Sequence, residues 1–113
     1  LAYLPGQEIL FVSGTASIVG HETVHPGDVR AQTRESLDNI AAVLAEASTK
    51  SRSGRYSLHD LGYRAYVRRA ADLDTVRDVV AAVVGGVPVV YIQADVCRSD
   101  LLVEIEGQAL RAL

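Results

Sequence analysis

The sequence predicts an α+β domain, a mixed β-sheet of four or five strands with two helices packed on one face. Two segments, residues 63–69 and 101–107, alternate strictly and read as half-buried strands. Two others, opening near Asp28 and Asp72, place apolar residues at three- and four-residue steps and read as amphipathic helices. A length of 113 residues holds one domain. The element order β-β-α-β-α-β-β packs most simply as a layer of helices on a sheet.

Residues 1–7 read as a lead-in, with Pro5-Gly6 as turn punctuation. Residues 9–12 form a continuous apolar run, predicted as a buried strand. Residues 16–19 follow as a short strand or bulged continuation, ended by Gly20, and residues 21–27 read as a loop. Asp28 is placed to cap a helix whose stripe is Val29, Thr33, Leu37, Ile40, Ala41 and Leu44, fading at Ala47. The polar, small-residue stretch 48–55 reads as a mobile loop. Tyr63, Ala65 and Val67 share one strand face, and Arg64, Tyr66 and Arg68 the other. The second helix carries Leu73, Val76, Val80 and Val83 and stops at Gly85-Gly86. A strand follows over 88–93, with Pro88 tolerated at its first position. In the last strand Leu101, Val103 and Ile105 face one way, and Leu102, Glu104 and Glu106 the other.

Composition narrows the function classes. Hydrophobic residues make up 49% and charged residues 22%, a globular mix that excludes disorder for the body of the chain. A net charge of -3 argues against binding a nucleic-acid backbone. No apolar run approaches the roughly 20 residues of a membrane span, so no membrane partner is expected. One cysteine forms no intrachain disulfide, which fits a reducing, cytoplasmic setting. There is no methionine and the chain opens at Leu1, so it reads as a piece of a longer or trimmed product, without a visible signal peptide.

The feature richest in chemistry is Glu104 and Glu106, two carboxylates on one strand face with side-chain bases about 7 Å apart. Like charges at that spacing favour retention of a proton, which suits a general acid. The same pattern equally describes two solvated glutamates opposite an apolar face. Cys97 is a candidate nucleophile with Arg98 beside it, or a small buried hydrophobe. Of eleven basic residues only Lys50 is a lysine, and arginine is the better fork for carboxylates. Arg64, Arg68 and Arg98 suit a small anion, or serve as ordinary surface ion pairs. His21 and His25 beside Glu22, with only His59 and scattered acids beyond, fall short of a metal site, and no metal is expected. Neither a phosphate-binding glycine loop nor a G-x-S-x-G elbow is present.

Taken together, these segments resemble the chorismatase family. Residues 11–22 are similar to its "SGTASIxGHE" segment, and residues 32–40 to its Q-x-x-E-(S/T)-x-x-N-I pattern. The resemblance continues through 65–68 and closes with 96–107. More distantly, the layout resembles the RidA (YjgF-type) imine deaminases, which form trimers with sites between subunits. In those proteins an arginine that would fall near Val89-Val90 grips the substrate carboxylate. No arginine stands there, which argues against imine hydrolysis.

The resemblance implies a RidA-like fold and cleavage of chorismate with release of pyruvate. The second product is 3-hydroxybenzoate or a dihydroxycyclohexadiene carboxylate. It implies Glu104 as the acid that protonates the enolpyruvyl methylene. It implies Cys97 as a catalytic residue of the hydroxybenzoate-forming branch, Arg98 and Arg68 as substrate-binding residues, and Tyr66 and Ala16 as pocket residues. No cofactor is implied. Chorismatases are about three times this long, so residues 1–113 are expected to be the C-terminal catalytic part of a longer enzyme. A lone domain would assemble as a RidA-like trimer, and a two-domain enzyme could be a monomer. The competing readings are a RidA-like imine deaminase and a non-enzymatic module that binds a small metabolite.

Overall fold

The structure, a computed structural model, describes residues 1–20, 22–96 and 98–113. The chain runs β1 (Ala2–Leu4), β2 (Gln7–Thr15), β3 (Ile18–Val19), β4 (Glu22–Thr23), α1 (Val29–Lys50), β5 (Gly62–Val67), α2 (Leu73–Val84), β6 (Val89–Gln93) and β7 (Val103–Ala112). The main sheet has the order β1-β2-β7-β5-β6, and β3 and β4 form a separate small hairpin. Among the described residues, only β5 and β6 pair in parallel, joined through α2; the other pairings are antiparallel. Both helices cover one face, as the periodicity predicts.

Each helix begins and ends where local chemistry dictates. Asp28 caps α1, its carboxylate accepting from Ala31 N at 3.0 Å. Gly85, at φ +73°, closes α2 in a conformation that disfavours any side chain. The core lies between the helices and the inner sheet face. It joins Leu37, Ile40 and Leu44 of α1 and Val76, Val79 and Val80 of α2 to Val12, Ala65, Val103 and Ile105.

Five expectations change. The last strand, expected over 101–107, runs Val103–Ala112. The lead-in is a strand: Ala2 pairs with Ile9 and Leu4 with Gln7, across the Pro5-Gly6 turn. The loop over 21–27 contains β4, which pairs with β3. Helix α1 runs on to Lys50, through residues assigned to the loop, and Ser48 returns its hydroxyl to Leu44 O at 2.7 Å. The run 9–12 is buried on one face only. Leu10 and Val12 are buried, whereas Phe11 is 57% exposed, because among the described residues no layer covers the outer sheet face. Leu4, Val90 and Leu110 stand exposed on that same face.

The stretch after α1 is fastened by a carboxylate. Glu8 on β2 is fully buried on the helix-facing side. Its Oε1 accepts from Tyr3 Oη at 2.9 Å and Arg52 N at 2.7 Å. Its Oε2 accepts from Ser51 Oγ at 2.8 Å, Tyr56 Oη at 2.7 Å and Ser53 Oγ. Burial alone would raise the pKa of this carboxyl, but the donors, led by Ser53 and Tyr56, hold it far below the usual carboxylate range. Arg111 on β7 lies 3.9 Å from the Tyr56 ring centroid and 3.2 Å from Asp60 Oδ2, closing the cluster.

Candidate functional site

Alternation on β7 puts Glu104 and Glu106 on the outer sheet face, as predicted, and both are half-buried. Glu104 pairs in register with Tyr66 on β5. On its other flank β2 bulges: Val12 pairs with Gly107 and Thr15 with Ile105, so β2 spends one extra residue between them. Gly14, in that bulge, faces the Glu104 side chain. A Cβ there would stand 2.8 Å from Glu104 Cδ and 3.3 Å from Cγ. The missing side chain is what gives the carboxyl its place. Glu106 is engaged, accepting from Tyr66 Oη at 2.9 Å with Arg64 Nη1 3.4 Å away. The tyrosine and arginine expected on this face are therefore present, directed at Glu106.

The segment between β6 and β7 closes the end of the sheet. Ala16 is buried beside Val96, Leu101 and Ile18, which joins the end of β2 to that segment. Ala16 O accepts from Asn39 Nδ2 of α1 at 2.9 Å. Arg98 is exposed, its Nη1 donating to Thr23 Oγ1 at 3.4 Å, and Thr23 donates to Asp100 Oδ1 at 3.1 Å. Arg68, the other expected substrate arginine, turns into the segment. Its Nε donates to Leu101 O, and its Nη2 to Val96 O and Arg98 O, each at 2.7 Å. Cys97 lies outside the described residues, as does His21. Among the described residues, no group of His, Cys, Asp or Glu is placed to hold a metal ion, and no helix is long and apolar enough to cross a membrane.

Sequence reasoning missed two residues here. Gly14 carried a signal, a glycine inside a strand pattern, which marks a bulge or a close approach. Gln32 carried no signal in periodicity or charge, and only its place as the first residue of the Q-x-x-E pattern marked it. It lies on the buried stripe of α1 with Thr33 and Ser36, and it is fully buried. Its Nε2 donates to Asp100 O at 2.9 Å and His25 O at 3.1 Å, and its Oε1 accepts from Leu102 N at 2.8 Å. Glu104 thus stands against the β2 bulge, while Ala16 packs on the braced segment that leads into β7 and the exposed Arg98 belongs to it. A carboxyl and a guanidinium carried on such a frame are groups suited to a small carboxylate ligand.

Comparison with known proteins identifies the family and the fold. The family model described as endoribonuclease L-PSP matches residues 3–111. A 3-hydroxybenzoate synthase of Streptomyces hygroscopicus is 45% identical over 104 residues, which is 87% of this chain and 30% of that protein. A chorismatase of Streptomyces rapamycinicus is 48% identical over 103 residues, again 87% of this chain and 30% of that protein. The chain therefore spans about a third of the length of the curated relatives it matches. A chorismatase crystal structure superposes with a TM-score of 0.82 at 47% identity, covering 89% of this chain and 32% of that one. A protein of the conserved Rid family from Yersinia pestis superposes with a TM-score of 0.74 at 25% identity, covering 95% of this chain and 82% of that one.

Proposed function

The chain belongs to the endoribonuclease L-PSP family with a RidA-like α+β fold, and on that premise we propose that it is the catalytic portion of a chorismatase. The observation that carries the reading is Glu104, set against Gly14 on the outer sheet face, in a stretch of chain 45–48% identical to enzymes of that activity. Glu104 protonates the methylene carbon of the enolpyruvyl group. The electron pair of the double bond forms the new C–H bond, and positive charge develops on the carbon bonded to the ether oxygen. Attack there by water gives a hemiketal, and breaking its ether bond releases pyruvate and the dihydroxycyclohexadiene carboxylate. Attack by the ring hydroxyl gives a cyclic ketal; breaking the original ether bond at the ketal carbon and the bond between the attacking oxygen and its ring carbon releases pyruvate with that oxygen as its keto group, and loss of a ring proton to the retained oxygen leaves hydroxybenzoate. In both routes the proton of the attacking O–H returns to the Glu104 carboxylate. Arg98 holds a substrate carboxylate, and Ala16 shapes the floor of the site. Cys97 is assigned to the hydroxybenzoate branch by the resemblance alone.

The test is incubation with chorismate, following pyruvate by a coupled assay and the second product by absorbance. Pyruvate with 3-hydroxybenzoate is the expected result. Pyruvate with a non-aromatic diol keeps the activity and reverses the branch. Absence of pyruvate overturns the proposal in favour of an imine deaminase or a binding module.

The uncovered outer face supports a statement about assembly. Leu4, Phe11, Val90 and Leu110, all more than half exposed, lie on this apolar face, and Phe11 and Val90 line one cavity with Glu106. In a RidA-like trimer, or against another domain of a longer enzyme, this face is covered. Sedimentation of residues 1–113 alone is expected to give a trimer mass; a stable monomer at micromolar concentration contradicts the trimer.

A further inference from the structure

Arg68 was expected to hold a substrate carboxylate, and its hydrogen bonds assign it other work. A guanidinium grips a carboxylate through one of two edges, Nε with Nη2 or Nη1 with Nη2. Both edges need a free Nη2 hydrogen. Both Nη2 hydrogens are spent, on Val96 O and Arg98 O at 2.7 Å. The Nε hydrogen goes to Leu101 O at 2.7 Å. Only Nη1 remains, 3.5 Å from Asp95 Oδ1, and it offers no two-point grip. The Arg68 backbone N–H joins in, donating to Leu102 O at 3.0 Å.

Gln32 works from the opposite side. Its amide is fully buried, and both of its ends are committed to backbone. It donates to Asp100 O and accepts from Leu102 N. Leu102 is thus held by the Gln32 side chain at its N–H and by the Arg68 main-chain N–H at its carbonyl, while the Arg68 side chain holds the neighbouring Leu101 carbonyl. Leu102 stands two residues before Glu104 and four after Arg98. Whatever fixes it sets how β7 enters the sheet, and with it where the Glu104 carboxyl stands.

We propose that Arg68 and Gln32 are positioning residues that brace the chain leading into β7 and so fix how the strand carrying Glu104 enters the sheet, and that Arg68 is not itself a substrate ligand. Displacing a catalytic group by about 1 Å costs on the order of 100-fold in rate, so the brace acts on turnover more than on affinity. The kinetic part of this inference rests on the proposed chorismate reaction; the structural part does not.

Two measurements on the same proteins test it: amide hydrogen exchange of the segment, and steady-state kinetics with chorismate, for the wild type, Arg68→Lys and Arg68→Met. Lysine keeps the charge but cannot bond three carbonyls in one plane. The brace therefore predicts similar behaviour from both variants. The Leu101 and Leu102 amides exchange at least about tenfold faster than in the wild type, and kcat falls about 100-fold with KM nearly unchanged. A carboxylate ligand predicts the opposite pattern. Lysine would hold KM near the wild-type value, methionine would raise it strongly, and exchange would not change. That result overturns the inference. If the wild type releases no pyruvate, the proposed function fails, and exchange alone still judges the brace. If Arg68→Met does not fold, Arg68→Lys and the wild type decide: unprotected Leu102 exchange in the wild type overturns the proposal.

Discussion

Glu104→Gln will fold, bind chorismate and release pyruvate roughly 1,000-fold more slowly, within the span that a general acid contributes. Glutamine matches glutamate in shape, so it fits the same space against Gly14 in the β2 bulge. It has no proton to give to a carbon. The loss therefore falls on kcat, while calorimetric affinity for chorismate stays within a few fold. A variant with kcat within tenfold of the wild type would remove Glu104 from the reaction. Gly14→Ala is the companion. Its new Cβ would stand 2.8 Å from Glu104 Cδ, so the carboxyl must swing aside. The expected cost is on the order of 100-fold in kcat. A sensor without enzymatic activity would show neither effect.

The largest effect on stability is expected at Glu8. Its two oxygens collect hydrogen bonds from Tyr3, Ser51, Arg52, Ser53 and Tyr56, tying the end of α1 and the chain beyond it to the first hairpin. Glu8→Gln turns an acceptor-only group into one that presents N–H to donors, leaving buried hydroxyls unsatisfied. A fall in Tm on the order of 10 °C at pH 7 is expected. The pH dependence has a definite sign. The folded pKa of Glu8 lies below its unfolded value, so the folded state binds fewer protons. Its stabilising contribution is complete above the unfolded value of about 4.3 and is lost progressively as pH falls below it. Melting curves between pH 3 and 7 should slope downward toward acid in the wild type and slope less in Glu8→Gln. Parallel curves would show that Glu8 is not the group responsible.

These two glutamates also mark the limit of what periodicity reveals. Glu104 was legible because β7 alternates cleanly from Val103 to Glu106, which puts both carboxylates on one face. Glu8 was not, since it follows a turn and precedes an apolar run, so nothing local separates it from a solvated residue. The rest of β7 was hidden for a related reason. Past Gly107 the pattern inverts: Leu110 faces out and Arg111 faces in, against Tyr56 and Asp60. Read locally, that inversion ends a strand. The inward arginine becomes acceptable only beside partners drawn from distant parts of the chain.

The sequence by itself determined the two helices and the longer strands, the start of α1 at Asp28 and the end of α2 at Gly85, the inward faces of β5 and β7, and through its resemblance the candidate acid. These properties depend on neighbours within a turn or two, where spacing, capping and alternation act. The tertiary structure decided the rest. It inserted the last strand between β2 and β5, left Phe11 on an uncovered face, set Gly14 against Glu104, and spent the Arg68 fork on backbone carbonyls. Each of these depends on groups far apart in sequence, and such pairings leave no period in the chain. They exist only once long-range contacts have overcome the entropy of bringing the segments together.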